Sequence, residues 1–103
     1  MKKTIWSPEA AEDLRTIYRF YLLINPQFAT FIFTLIKDEA KRLKHFPEIA
    51  SVELTLMGYN KEYRSLLVYK LFKLIYYIND NHIVIVAIWD CRRNPETLRQ
   101  NIK

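Results

Sequence analysis

Apolar residues recur at three- and four-residue steps through the first half of the chain and at two-residue steps later, so two helices precede most of the sheet. Ala10, Leu14, Ile17, Tyr18 and Tyr21 form one stripe, which predicts a helix running to about Ile24. Ser7 offers an N-cap hydroxyl, Pro8 suits the first turn, and Glu9 complements the positive end of the helix dipole. Asn25-Pro26 repeats the start signal, and Ala29, Ile32, Phe33, Ile36, Ala40 and Leu43 mark the buried side of a second helix that Pro47 ends. With so short a link the two helices fold back as an antiparallel hairpin. A second apolar line on that helix, Phe28, Phe31 and Leu35, either wedges into the core or presents a face to a partner helix or a second copy.

Lys3 to Trp6 reads as a short first strand. Glu48 to Lys61 is the least regular part, with weak alternation at Val52, Leu54 and Leu56 and a turn at Gly58-Tyr59-Asn60. Tyr63 to Val68 and Phe72 to Ile78 predict two further strands. Asn79-Asp80-Asn81 supplies side chains that tolerate the backbone angles of a tight hairpin. Ile83 to Trp89 is apolar at nearly every position, the mark of a central strand covered on both faces. Pro95 opens a last short helix, Glu96 to Ile102, with Arg99 and Lys103 near its negative end. The expected fold is α+β in two layers, one domain over residues 1–103. An N-terminal helical hairpin packs on an antiparallel sheet in the order β-α-α-β-β-β, and a short C-terminal helix follows.

Composition sharpens this picture in two places. Half of the residues are apolar, enough for one real core, and a net charge of +5 favours an acidic partner: RNA, DNA or an acidic protein segment. Cys91 is the one cysteine, which rules out an internal disulfide and suits a reducing cytoplasm. Lys2 and Lys3 are followed by Pro8, Glu9, Glu12 and Asp13 instead of a signal-peptide apolar run, and no window is apolar and uncharged for long enough to cross a bilayer.

Most catalytic constellations are missing. There is no cysteine pair, no histidine pair at helical spacing and no carboxylate-rich loop for a metal, and one glycine cannot make a phosphate-cradling loop. Glu12/Asp13 and Asp38/Glu39 read as solvated helix faces. What remains is cationic: Arg64 and Lys73 on adjacent strands, with Arg92 and Arg93 leaving the third. If Arg64, Lys73 and Arg93 converge on one surface, they form a phosphate site, because a guanidinium fork donates two hydrogen bonds to two oxygens. The same charges would stabilise a scissile phosphate, but cleavage also needs a proton acceptor and a donor. The bland alternative is that all three flank the sheet in water. Trp89 is expected in the core, and Asp90 is expected to cap or pair with Arg92 or Arg93.

S-P-E-A-A-E-D-L opening the first helix, Y-x-x-x-x-P between the helices, F-P after the second, F-K-L-I-Y-Y-I, and a last strand ending in D-C-R-R-N-P occur in this order along nearly the whole chain. The layout resembles the RelE/ParE superfamily of bacterial type II toxins. That resemblance implies a toxin–antitoxin system of the plasmid-stabilisation type, whose toxin is held inactive by a cognate antitoxin. In the ParE branch the target is DNA gyrase. In the RelE branch it is mRNA in the ribosome, and the basic site residues fall on Arg93, Lys73 and Arg64. The tyrosine that some members carry in the terminal helix falls on Arg99, and the His-Tyr ending of other nucleases is absent, so the acid/base set is incomplete. Three functions are thus carried forward: a gyrase poison, a ribosome-dependent endoribonuclease, and a catalytically degenerate binding module. None needs a cofactor or a metal.

Overall fold

Asn25 alone joins two helices of equal length. Its backbone N–H closes α1 (Pro8–Ile24) on the Tyr21 carbonyl at 2.7 Å, while its side chain accepts from Phe28 N at 3.1 Å and opens α2 (Pro26–Arg42). Pro26 follows at a position where no N–H is needed, just as Pro8 follows the Ser7 cap, whose Oγ accepts from Ala10 N at 3.0 Å. The hairpin is therefore written locally, by two cap–proline pairs. α2 stops at Arg42 and unwinds through turns to Phe46 before Pro47 is reached. The computed structural model describes residues 2–102, so Lys103 lies outside the described residues.

The sheet has five strands in the order β1-β5-β4-β3-β2: β1 (Lys3–Trp6), β2 (Ser51–Val52), β3 (Arg64–Val68), β4 (Phe72–Asn79) and β5 (His82–Asp90). β2 is a two-residue strand within the irregular stretch, and a 3₁₀ turn at Leu54–Leu56 follows it. β2 to β5 are antiparallel neighbours, but β1 runs parallel to β5, so the sheet is mixed. The chain between β1 and β5 is long enough for such a crossover, and it carries the helical hairpin onto one face. Among the described residues, no helix is long and apolar enough to cross a membrane.

β5 is central and contacts packed layers on both sides, as its unbroken apolar run implies. A bulge decides which residue faces where. Ile75 pairs with Ala87 but Tyr76 pairs with Ile85, so Val86 is an extra residue that swaps the inward and outward positions of β5. Ile83, Ile85 and Ile88 consequently join Leu74 and Tyr76 under Leu14, Ile32 and Ile36 of the helices. Ala87 and Trp89 join Ile75 on the far face, where Leu98 of α3 (Pro95–Asn101), Ile102, Tyr63 and Leu56 cover them. Phe33 and Leu35 are only partly buried against the first of these cores.

Candidate functional site

The alternation of side chains across the sheet separates the three cations named from the sequence. Arg64 stands opposite Tyr76, so it leaves β3 on the helix face. Lys73 stands opposite Trp89, so it leaves β4 on the far face. Arg93 lies just past β5, with its guanidinium 4.3 Å from the centre of the Trp89 ring. Lys73 and Arg93 thus share Trp89 as a neighbour, and Arg64 does not join them. The expected convergence of all three is corrected accordingly. Arg64 and Lys73 are on adjacent strands, but their positions differ in parity across the paired register.

Each cation has different employment. Arg64 donates from Nη1 to the Ala50 carbonyl at 2.7 Å and pairs with Glu62 at 3.3 Å. Its cross-strand neighbour Tyr76 donates to the Pro47 carbonyl at 2.7 Å, so the two together pin the Pro47–Ala50 loop. Burial raises the Tyr76 phenol above its ordinary value, which keeps it a donor. A polar hollow of about 320 Å³ lies beside Arg64, lined also by Glu48 and Glu62, a lining poorly suited to a phosphate.

Lys73 donates to Glu53 at 2.9 Å. Glu53 is 5% exposed and also accepts from Thr55 Oγ1 at 2.6 Å and Thr55 N at 3.2 Å, which caps the 3₁₀ turn. Burial alone would push this carboxyl up. Hydrogen bonds from Thr55, Lys73 and Ser65 outweigh it and hold the pKa at about 2. The sequence carried little signal for this residue, since Glu53 falls in the least periodic stretch. Arg99 donates to the carbonyls of Thr55 and Met57 at 3.1 and 2.8 Å and lies over the Tyr59 ring, whose hydroxyl donates back to the Arg99 carbonyl. Arg93 differs from all of these: its backbone N–H donates to the Asp90 carbonyl at 3.0 Å, but among the described residues its side chain donates no hydrogen bond.

Behind Arg93 a cleft of about 280 Å³ opens between α1 and the end of β5, with Ile17, Phe20 and Ile88 as apolar lining and Asp13, Asp90 and Arg92 around it. Asp90 pairs with Arg92 at 2.7 Å and accepts from Arg92 N at 2.9 Å, as one of the two expected pairings required. The hydrogen bond from the Arg92 side chain holds the Asp90 carboxyl below its usual value. Asp13 is not a solvated residue. It accepts from Ile88 N at 2.9 Å, and burial raises its pKa against the pull of that N–H and of Arg93. Its place three residues after Ala10 and four before Ile17, on the rim of the apolar stripe, was a signal for this.

The carboxylates beside these cations each have a partner. Glu53 is held ionised by Lys73, Asp90 is held by Arg92, and Asp13 faces a backbone N–H. His82 begins β5, roughly 20 Å along the strand from Trp89 at ordinary strand rise. Burial raises the Cys91 thiol, so this exposed cysteine is not an activated nucleophile. Among the described residues no group of three metal-ligating side chains occurs.

The model of the ParE toxin of the type II toxin–antitoxin system parDE matches residues 4–95. The chain belongs to this ParE toxin family. It thereby falls within the RelE/ParE superfamily expected from its motifs. The match begins in β1 and ends where α3 starts, so it includes α1 and α2, all of the sheet but Lys3, and Arg93. No curated protein sequence matches the chain. Two solved structures share the ParE-type fold with it. A chain of the chromosomal ParDE toxin–antitoxin system from P. aeruginosa is 23% identical with a TM-score of 0.72, covering 87% of this chain and 96% of that one. The YoeB dimer from Staphylococcus aureus is 21% identical with a TM-score of 0.55, covering 84% and 92%.

Proposed function

We propose that this type II toxin arrests growth by acting on DNA gyrase, and that a cognate antitoxin neutralises it in a plasmid-stabilisation type of system in the cytoplasm. The observation that carries this reading is the match to the parDE toxin model over residues 4–95. The disposition of the cations supports it. A gyrase poison needs a binding surface rather than a hydrolytic centre, and Arg64 and Lys73 are consumed by internal partners on opposite faces. Purified protein added to gyrase and relaxed plasmid tests it: supercoiling is expected to fall with toxin dose. Undiminished supercoiling at a large molar excess, in a preparation that still arrests growth, overturns it.

The antitoxin is proposed to be acidic and to seat against the sheet edge and the basic surface. A net charge of +5 favours such a partner. Among the described residues no strand pairs the outer edge of β3 from Leu66 to Val68, because β2 pairs only with Arg64 and Ser65. Co-expression with an adjacent reading frame is expected to restore growth.

A ribosome-dependent endoribonuclease is the second reading, favoured by one observation: the Arg93 guanidinium stacks on Trp89 across from Lys73 and, among the described residues, donates no hydrogen bond. Of the three expected residues, Arg93 and Lys73 would then bind phosphate and stabilise its charge, and Arg64 would act only through the loop it pins. Loss of mRNA cleavage in Arg93→Ala, with antitoxin binding intact, is the expected outcome of that reading. Absence of cleavage, gyrase inhibition and growth arrest alike would leave a degenerate binding module.

A further inference from the structure

Cations on this molecule fall into two groups. Five arginines are within ion-pair reach of a carboxylate, whereas among the described residues Lys73 is the only lysine that is. Uncompensated charge is therefore carried mainly by lysines, and four of them stand along one border of the molecule. Lys37 and Lys41 are exposed and lie one turn apart on α2, on the flank next to its buried Ile36 and Ala40. Past α2 the chain winds on, with the N–H groups of Leu43, Lys44 and His45 donating to carbonyls three residues back. Lys44 consequently follows Lys41 on the same side.

β1 ties this line to the sheet at two points. The Lys37 ammonium lies 5.9 Å from the centre of the Trp6 ring, and Lys2 N donates to the Lys44 carbonyl at 3.3 Å. The end of α2 and β1 thus run alongside each other in opposite directions, which brings Lys2 to the far end of the line. Lys2 Nζ donates to the Asp80 carbonyl, a neutral acceptor that leaves its charge in place. Asp38 and Asp80 are the carboxylates beside this border, since Glu39 is taken by Arg42, and four ammoniums against two carboxylates leave a positive surplus. Lys3 lies on the face of β1 opposite Trp6 and does not join them. This border is not the cleft of Arg93: Lys2 meets the β4–β5 turn, and Arg93 follows the other end of β5, roughly 25 Å along the strand at ordinary rise. Nor is it the free edge of β3, which β5 and β4 separate from β1.

We infer that Lys2, Lys37, Lys41 and Lys44 form a seat for the phosphate backbone of double-stranded DNA, held without regard to base sequence. The choice of lysine points to this ligand. An ammonium is a compact point charge suited to a phosphate, and it lacks the planar fork that grips a carboxylate or a base edge in two bonds. The spacing agrees. Lys37 to Lys44 spans roughly 10 Å at helical rise, and over that length one strand of a duplex carries about three phosphates. A single strand asks for exposed rings on which bases stack, but Trp6, the ring among these lysines, is half-buried and covered by Lys37. An RNA duplex is recognised partly through its 2′-hydroxyls, and positions 38–43 offer no hydroxyl or amide side chain. This inference is independent of the target of the toxin.

Fluorescence anisotropy of a labelled DNA duplex, titrated with the whole protein, tests it. Binding near ~10 μM is expected at about 50 mM salt, weakening roughly 100-fold by about 200 mM as four phosphate contacts require. Two duplexes of unrelated sequence should bind alike. Lys41→Gln/Lys44→Gln is expected to weaken binding at least ~10-fold and to halve the salt slope. Lys61→Gln/Lys70→Gln removes equal charge elsewhere, before β3 and in the β3–β4 turn where Lys70 has a φ of 54°, and should change the affinity less than ~2-fold. Asp38→Asn removes a carboxylate from the border and should tighten binding, with the thermal melt of each variant near wild type. A wild type that leaves the duplex free at about 50 mM salt overturns the inference. So does a charge-matched control that loses as much as the border pair, or an Asp38→Asn variant that binds no better. Tighter binding of a single strand, of an RNA duplex of the same length or of poly-glutamate would overturn it as well, by assigning the border to another partner.

Discussion

The Asp13 carboxylate accepts a hydrogen bond from the Ile88 backbone N–H at 2.9 Å, and in doing so replaces a missing strand. β1 pairs with β5 only as far as Ile85, where Ser7 N donates to the Ile85 carbonyl. Past that point, among the described residues, no strand pairs with the outer side of β5. Ser7 Oγ reaches the Val86 carbonyl at 3.3 Å and Asp13 takes Ile88 N, so α1 closes the edge with side chains. Asp13→Ala is therefore expected to destabilise the fold by about 1–3 kcal/mol, as removal of a partner from a half-buried donor does. Asp13→Asn keeps an acceptor and should lose less. Urea unfolding of the three proteins checks the order.

Glu53 sets an acid limit. Its folded pKa of about 2 lies below the ordinary 4.5, so folding favours the ionised form. The sign follows: this stabilisation is complete above about pH 4.5 and is lost as pH falls toward 2. It amounts to roughly 3 kcal/mol when whole. Glu53→Gln should be less stable at neutral pH and should lack this part of the acid dependence. Denaturant midpoints at pH 7, 4 and 2.5 measure both effects. A variant with the same acid slope as wild type would remove Glu53 from the account.

Arg64 and Lys73 are expected to behave first as structural residues. Arg64→Ala leaves the Ala50 carbonyl without its donor and should cost about 1–3 kcal/mol. Lys73→Met leaves a nearly buried carboxylate unpaired and should cost more than the Lys73→Met/Glu53→Gln double substitution, in which no charge is stranded. Equal losses in the single and double variants would contradict the pairing. Activity assays on either residue are informative only beside these stabilities.

Lys70 occupies a backbone conformation that suits glycine. Lys70→Gly should raise stability by roughly 0.5–1 kcal/mol if the turn is unchanged, since the relief of strain exceeds the added chain entropy. A thermal melt decides it, and an unchanged or lower melting temperature would show that the turn is not strained.

Local signals explain why the helical hairpin was legible before any coordinates. Ser7-Pro8 and Asn25-Pro26 are cap–proline pairs whose meaning depends only on neighbours in the chain, and the strand limits near Phe72 and Trp89 follow from a two-residue period. The order of motifs carried the family as well, because it is a property of the chain alone. Glu53 and Asp13 were missed or misjudged for the opposite reason. Their partners are Lys73 and Ile88, distant in sequence, and nothing beside Glu53 advertises a buried carboxylate.

By itself, then, the amino-acid order determined the elements, their succession and an α+β class, since capping, proline geometry and periodicity act over a few residues. Only the tertiary structure decided which side chains meet. A side chain changes face with every residue along a strand, and the extra residue at Val86 shifts that parity within β5. Strand adjacency could not say that Arg64 and Lys73 lie on opposite faces, because facing depends on the pairing register that folding sets.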